Sequence, residues 1–165
     1  MKKDTECQEW IQEGFTKKEA RKWIKAGFTL GGALKWSLSG ISSPREAKRW
    51  IRAGFDFKEA GQWSRYYCFS PGRAKQWFQS GFWPQDAWAW ANIGVWRPRE
   101  ARKWLRAVNT PEQAASWKWR RFTPEEARAW VKAGIYRAEE AQDLKWKGLS
   151  PDDVKEARTR HHENV

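Results

Sequence analysis

The stretch TPEEARAWVKAGI at residues 123–135 contains the start and stop signals of one short helix. Thr123 is a good N-cap residue, Pro124 suits the first helical position, and Glu126 completes a capping box. Gly134 suits the left-handed conformation in which many helices end. The stretch therefore predicts a helix of about three turns with a defined beginning and end.

One face of this helix is apolar. Ala127, Trp130 and Val131 are spaced three and four residues apart, so they lie on the same side, and Ile135 follows the glycine. A helix of about ten residues is only marginally stable in isolation. We therefore expect it to be buried along this face against neighbouring helices.

The same pattern recurs along the chain, and its tryptophan is the clearest marker. Of the 15 tryptophans, ten are spaced by 13 or 14 residues. These frame tryptophans are Trp10, Trp23, Trp36, Trp50, Trp63, Trp77, Trp90, Trp104, Trp117 and Trp130. From Trp23 to Trp117 the two spacings alternate, which indicates a hairpin of two helices that repeats every 27 residues. Such units contact mainly their neighbours, so the sequence predicts an all-α solenoid of about 11–12 short helices.

Two helix types follow from this alternation. First-type helices carry Trp23, Trp50, Trp77, Trp104 and, by continuity, Trp130. Second-type helices carry Trp36, Trp63, Trp90 and Trp117. We expect one repeat domain over residues 1–158, closed by a polar last helix that begins near Ser150, and a charged flexible tail over residues 159–165.

The repeat resembles a family of helical-repeat proteins built from tandem Gly-Phe-x-Pro-Glu-Glu-Ala-x-x-Trp units, and is broadly similar to two-helix α-solenoids. The resemblance covers most of the chain and implies a helical repeat. The 27-residue unit is shorter than the roughly 34 residues of tetratricopeptide-type arrays, so the repeat lacks the signature of those solenoids. The resemblance therefore implies nothing about a partner.

Catalytic and metal-binding motifs are missing from the sequence. The only histidines, His161 and His162, are adjacent near the end, and Cys7 and Cys68 do not form a Cys-x-x-Cys pair. The acidic residues mostly occupy capping and first-turn positions, where helix dipoles favour them. We therefore expect no enzymatic activity, no catalytic residues, no cofactor, no metal site and no disulfide framework.

Targeting signals are also missing. No window approaches 18 apolar residues, and residues 1–6 are mostly polar and include two acids, which argues against a secretory or organelle leader. We expect an intracellular protein, cytoplasmic or associated with the nucleoid or nucleus, with no membrane partner.

Basic residues are concentrated on the first-type helices. The chain has 32 Lys and Arg against 20 Asp and Glu, a formal net charge of +12. The first-type segments 17–27, 44–54, 71–81 and 98–108 hold 15 Lys and Arg, whereas second-type segments of equal length hold 6. An ordinary solvated face mixes charges of both signs. The asymmetry therefore predicts a basic surface along the first-type helices that binds an anion.

We call this predicted surface the basic ladder. Its residues are Arg21, Lys22, Lys25, Lys48, Arg49, Arg52, Arg73, Lys75, Arg102, Lys103, Arg106, Arg128 and Lys132.

The tryptophans fall into two groups. The ten frame tryptophans are expected in the core, with each indole N–H bonded to a carbonyl, a hydroxyl or water. The other five include Trp88 and Trp119, which are candidates for stacking on nucleic-acid bases or for packing between repeats. Trp146 is expected to replace the missing frame tryptophan of its repeat.

Our leading hypothesis is a nucleic-acid-binding protein, with RNA or another single strand favoured and duplex DNA an alternative. An adaptor that binds an acidic protein partner and a self-assembling structural protein are the alternatives. The oligomeric state, the sequence specificity and the handedness of the solenoid stay open at this point.

Overall fold

The computed structural model describes residues 2–66 and 69–163, and within them every regular element is a helix. The helices are α1 (Lys2–Gln12), α2 (Lys17–Lys25), α3 (Leu30–Leu38), α4 (Pro44–Ala53), α5 (Phe57–Ser64), α6 (Pro71–Gln79), α7 (Pro84–Asn92), α8 (Pro98–Trp104), α9 (Pro111–Trp119), α10 (Pro124–Lys132), α11 (Ala138–Trp146) and α12 (Pro151–Glu163). This series of short helices confirms the predicted all-α helical repeat of solenoid type. The first-type helices are α2, α4, α6, α8 and α10, and the second-type helices are α3, α5, α7, α9 and α11.

The predicted helix signals are confirmed in α10. Thr123 is the N-cap, its hydroxyl accepts a bond from the Glu126 N–H at 3.2 Å, and the Glu126 carboxylate accepts from the Thr123 N–H at 2.8 Å. At the other end Gly134 has φ 86°, and the Ile135 N–H donates to the carbonyl of Trp130 at 3.0 Å. This six-to-one bond is the Schellman arrangement, which satisfies carbonyls that the helix itself leaves unpaired.

The core repeats with the helices. All ten frame tryptophans are buried, as predicted, together with the alanine three residues before each one from Trp23 to Trp130. The third buried position is the residue after the terminal glycine, as in Ile41, Phe55 and Val95. Six frame tryptophans pair with a phenylalanine five or six residues later, with ring centroids 4.8–5.4 Å apart at steep angles. Such edge-to-face pairs are favourable beyond the area they bury.

The residue directly after the tryptophan is outside this core on three first-type helices, so the predicted apolar face is narrower there. Ile51, Phe78 and Leu105 are each more than 40% exposed, whereas Ala91 at the equivalent position of α7 is buried. In α4 the residue after the terminal glycine, Phe55, packs edge-to-face on the frame tryptophan instead.

Three of the buried indoles find neither a carbonyl nor a hydroxyl acceptor, so for them only the third predicted acceptor, water, stays a prediction. Within the described residues, the buried Nε1 atoms of Trp23, Trp50 and Trp104 have no hydrogen-bond partner. All three belong to first-type helices, and their core neighbours are alanine and other apolar side chains.

The chain forms two compact units, residues 1–84 and 85–165. In the first, α4 contacts α6 and α3 contacts α5; in the second, α8 and α12 both contact α10. Helices of one type are thus neighbours within each unit, as a 27-residue repeat requires. The predicted single domain over 1–158 and flexible tail over 159–165 stay predictions; α12 continues to Glu163.

Candidate nucleic-acid interface

A groove of about 550 Å³ lies between α2 and the start of α4. It is lined by Lys22, Lys25, Ser43, Pro44, Arg45 and Lys48. Ser43 and Pro44 form the N-terminus of α4, whose backbone N–H groups carry partial positive charge. Two neighbouring first-type helices therefore bring four cations and a positive helix end together around one opening.

A second hollow, of about 460 Å³, adjoins the groove along α2. It is lined by Lys17, Lys18, Arg21, Lys22 and Lys25. Lys22 and Lys25 belong to both openings, so the two form one continuous cationic surface in the first compact unit. We call this surface the α2–α4 groove.

The basic-ladder residues of the first unit are exposed and lack ion pairs. They are Arg21, Lys22, Lys25, Lys48, Arg49, Arg52, Arg73 and Lys75, of which only Lys75 is half-buried. Among residues 2–66 and 69–163, no carboxylate oxygen lies within 4.0 Å of their charged nitrogens. Like charges held close together repel, so an anion bound here would relieve that repulsion.

The acid on α2, Glu19, caps the start of its own helix. The Glu19 carboxylate accepts bonds from the Thr16 N–H at 2.9 Å and the Thr16 hydroxyl at 2.7 Å. The hydroxyl bond and then the N–H bond hold the pKa of Glu19 below its ordinary value. The Glu19 carboxylate thus bonds its own helix start, and the nearby charge of Lys22 contributes to its lowered pKa.

The second unit differs because one member of the basic ladder there is neutralised. Lys103 Nζ on α8 lies 3.0 Å from Glu125 Oε1 on α10. This hydrogen bond lowers the pKa of Glu125. The remaining ladder positions, Arg102, Arg106, Arg128 and Lys132, are exposed. The basic ladder thus includes, at Lys103, a residue paired with an acid of the neighbouring first-type helix.

Three residues of the α2–α4 groove were not among the predicted basic-ladder residues. Lys17, Lys18 and Arg45 come earlier in their helices than the basic-ladder residues of α2 and α4. Their signal was helical spacing: Lys18 and Arg21, like Arg45 and Lys48, are three residues apart and share a face. By contrast, Arg49, Arg52, Arg73 and Lys75 line neither opening.

The five tryptophans outside the frame are all exposed. Trp83 and Trp96 lie in links between helices, and Trp88 is 44% exposed on α7. Trp119 is 84% exposed at the end of α9. Trp146, at the end of α11, is 77% exposed, so the expectation that it replaces the frame tryptophan is wrong. Leu144 occupies the frame position and is half-buried.

The described residues offer neither a metal site nor a membrane span. No group of three or more His, Cys, Asp or Glu side chains that could share a metal ion occurs in residues 2–66 and 69–163. None of the described helices has the length and apolar character needed to cross a membrane. Cys7 is a buried thiol, and Cys68 lies outside the described residues.

Comparison of the chain with protein families, with curated proteins and with solved structures gave no match.

Proposed function

We propose that this protein is a non-enzymatic nucleic-acid-binding helical-repeat protein whose first-type helices contact phosphates. The observation that supports this most is the α2–α4 groove, where Lys22, Lys25, Arg45 and Lys48 surround one opening without an ion pair. A groove lined by one sign of charge concentrates field lines and attracts a polyanion.

Binding would be driven by replacement of counterions. Each lysine or arginine that neutralises a phosphate releases condensed cations from the nucleic acid, which makes affinity depend steeply on salt. Neighbouring helices are spaced by about 8–10 Å, and a flexible single strand adjusts to that spacing more readily than a stiff duplex. RNA or another single strand is therefore the favoured ligand.

The test is fluorescence anisotropy with labelled single-stranded RNA, single-stranded DNA and duplex DNA, titrated at several salt concentrations. For single strands, the slope of log affinity against log salt should be about −0.7 for each phosphate contacted. The variant Lys22→Gln, Lys25→Gln, Lys48→Gln should bind much more weakly and reduce that slope by about 2.

The matched control is Lys35→Gln, Lys58→Gln, Arg65→Gln, which removes the same charge from second-type helices of the same unit. It should keep most of the affinity and nearly the whole salt slope. Equal losses in both variants would show that only net charge matters and would contradict the assignment to the groove. No binding by the wild type near 50 mM salt would contradict the function itself.

An acidic protein partner is the second candidate, and the exposed apolar residues of the first-type helices favour it. Ile51 is adjacent to Arg52, and Phe78 packs against Phe55 with ring centroids 5.7 Å apart while staying partly exposed. Apolar anchors beside charges are typical of protein interfaces. The variants Ile51→Ser and Phe78→Ser should leave RNA affinity within about twofold. Competition by polyglutamate as strong as by RNA would favour the protein partner.

A further inference from the structure

Trp119 and Trp146 occupy the same position in consecutive repeats, 27 residues apart. They end the neighbouring second-type helices α9 and α11, both within the second compact unit. At 84% and 77% they are the two most exposed tryptophans among the described residues. Each indole therefore leaves a large aromatic face open to a ligand.

The residues next to these tryptophans are held in place by contacts between helices. Arg120 Nη2 lies 2.7 Å from Glu139 Oε1, which ties the end of α9 to the start of α11. Lys145 Nζ bonds Glu126 Oε1 at 3.0 Å and lies 5.1 Å from the ring centre of Phe122. The two indoles are therefore presented from ordered helix ends.

Two further cations, next to these tryptophans in the sequence, form no such ion pairs between helices. Arg121 and Lys147 are exposed, and within the described residues neither has a carboxylate within 4.0 Å. Arg121 also has φ 65°, in the left-handed region, where eight other helix ends of this chain have glycine. An arginine in that strained conformation points to a role for its side chain.

We infer that Trp119 and Trp146 form a stacking platform for two unpaired bases of a single-stranded nucleic acid, with Arg121 and Lys147 beside its phosphates. Aromatic faces next to cations, repeated along a surface, are how single strands are bound without sequence preference. This inference rests on the proposed function and narrows its ligand to single strands, because the bases of a duplex are already stacked on one another. A proline-rich peptide also stacks on tryptophan, but it gives Arg121 and Lys147 no anion to neutralise.

The experiment follows the indole N–H signals of ¹⁵N-labelled full-length protein during titration with an unstructured oligouridine RNA. The signals of Trp119 and Trp146 are those that vanish in Trp119→Ala and Trp146→Ala. Both should shift upfield on RNA addition, because a stacked base shields the ring. Each Ala variant should weaken RNA binding about fivefold or more, whereas Trp119→Phe and Trp146→Phe, which keep an aromatic ring, should lose much less affinity. The salt slope should not change, because no phosphate contact is removed.

Trp96→Ala, which removes another half-exposed tryptophan of the same unit, is the matched control and should bind RNA like the wild type. Unchanged RNA affinity in the Trp119→Ala, Trp146→Ala double variant, with binding still lost in the α2–α4 groove variant, would overturn the platform and leave the proposed function standing. Shifts of both indoles with oligoproline but not with oligouridine would also overturn it. Absence of any nucleic-acid binding by the wild type would overturn both proposals together.

Discussion

Lys118 Nζ on α9 lies 3.0 Å from the carbonyl oxygen of Ile93, just after α7, 25 residues earlier. The same nitrogen donates to the Gly94 carbonyl at 3.2 Å. A second case recurs at the same separation, where Arg158 Nη1 on α12 donates to the Ala133 carbonyl at the end of α10 at 3.0 Å. In both cases a cation from one hairpin donates to carbonyls at the end of a helix in the preceding hairpin. The two helices are of the same type, and these carbonyls have no partner within their own helix.

Lys118→Met should lower the free energy of unfolding by about 1 kcal/mol, because it leaves two helix-terminal carbonyls without their donor. Urea unfolding followed by circular dichroism measures this change. Lys147→Met, which removes an exposed lysine without an ion pair in the described residues, should change stability by less than about 0.5 kcal/mol. Equal effects of the two variants would mean that the Lys118 bonds contribute nothing.

Gly134→Ala should destabilise the fold more than Gly40→Ala. Both glycines have φ 86°, so both alanines are strained by the left-handed backbone, by about 1 kcal/mol. A Cβ at Gly134 would in addition displace the Arg158 guanidinium from its bond to the Ala133 carbonyl, whereas nothing lies within 4 Å of a Cβ at Gly40. The additional loss of unfolding free energy in Gly134→Ala should disappear when this change is made in an Arg158→Ala background. If it persists there, the displaced guanidinium is not its cause.

Arg121→Gly should stabilise the protein by about 0.5–1 kcal/mol, because glycine adopts the left-handed φ of 65° without strain. The same change should weaken RNA binding if Arg121 lies beside a phosphate of a stacked strand. Thermal unfolding and anisotropy on one preparation give both values. A stability gain with no loss of RNA affinity would remove Arg121 from the proposed platform.

Stability should fall as the pH is lowered through the acid range. Hydrogen bonds from the Thr123 N–H and Lys145 lower the pKa of Glu126 from its ordinary value near 4.5. The folded protein thus binds this proton more weakly than the unfolded chain, so the stabilisation is present above about pH 4.5 and is lost as the pH falls through the lowered pKa. The pKa values of Glu19, Glu125 and Asp153 are lowered as well.

Glu126→Gln should therefore be less stable than the wild type at pH 7 and converge on it near pH 3. Urea midpoints at the two pH values, at constant ionic strength, measure the difference. A gap between the two proteins that is the same at both pH values would show that the charge of Glu126 is not responsible.

Much of the fold could be predicted because its signals are local. Thr123, Glu126 and Gly134 determine where α10 begins and ends, and the spacing of the frame tryptophans determines which face is buried. What the spacing could not show is how the left-handed turn places the next apolar residue. In α4 that residue is Phe55, which packs on Trp50 while Ile51 stays partly exposed.

The candidate site was predictable only in part. The excess of lysine and arginine on first-type helices indicated a basic surface, and Lys22, Lys25 and Lys48 do line one groove. The bond between Lys103 and Glu125 joins residues 22 positions apart on different helices. It depends on how their side chains are oriented, which the sequence pattern of one helix cannot predict. The three indoles without acceptors likewise depend on the exact packing around each ring.

The separation of 25 residues between each capping cation and its carbonyl has a consequence for how such a chain can lengthen or shorten. Duplication or loss of a whole 27-residue hairpin keeps every donor opposite a carbonyl and every basic helix beside another basic helix. Duplication of one 13-residue helix would swap the two helix types downstream and separate donors from acceptors. Length variants of this protein should therefore differ by whole hairpins, which comparison of sequences from natural variants would reveal.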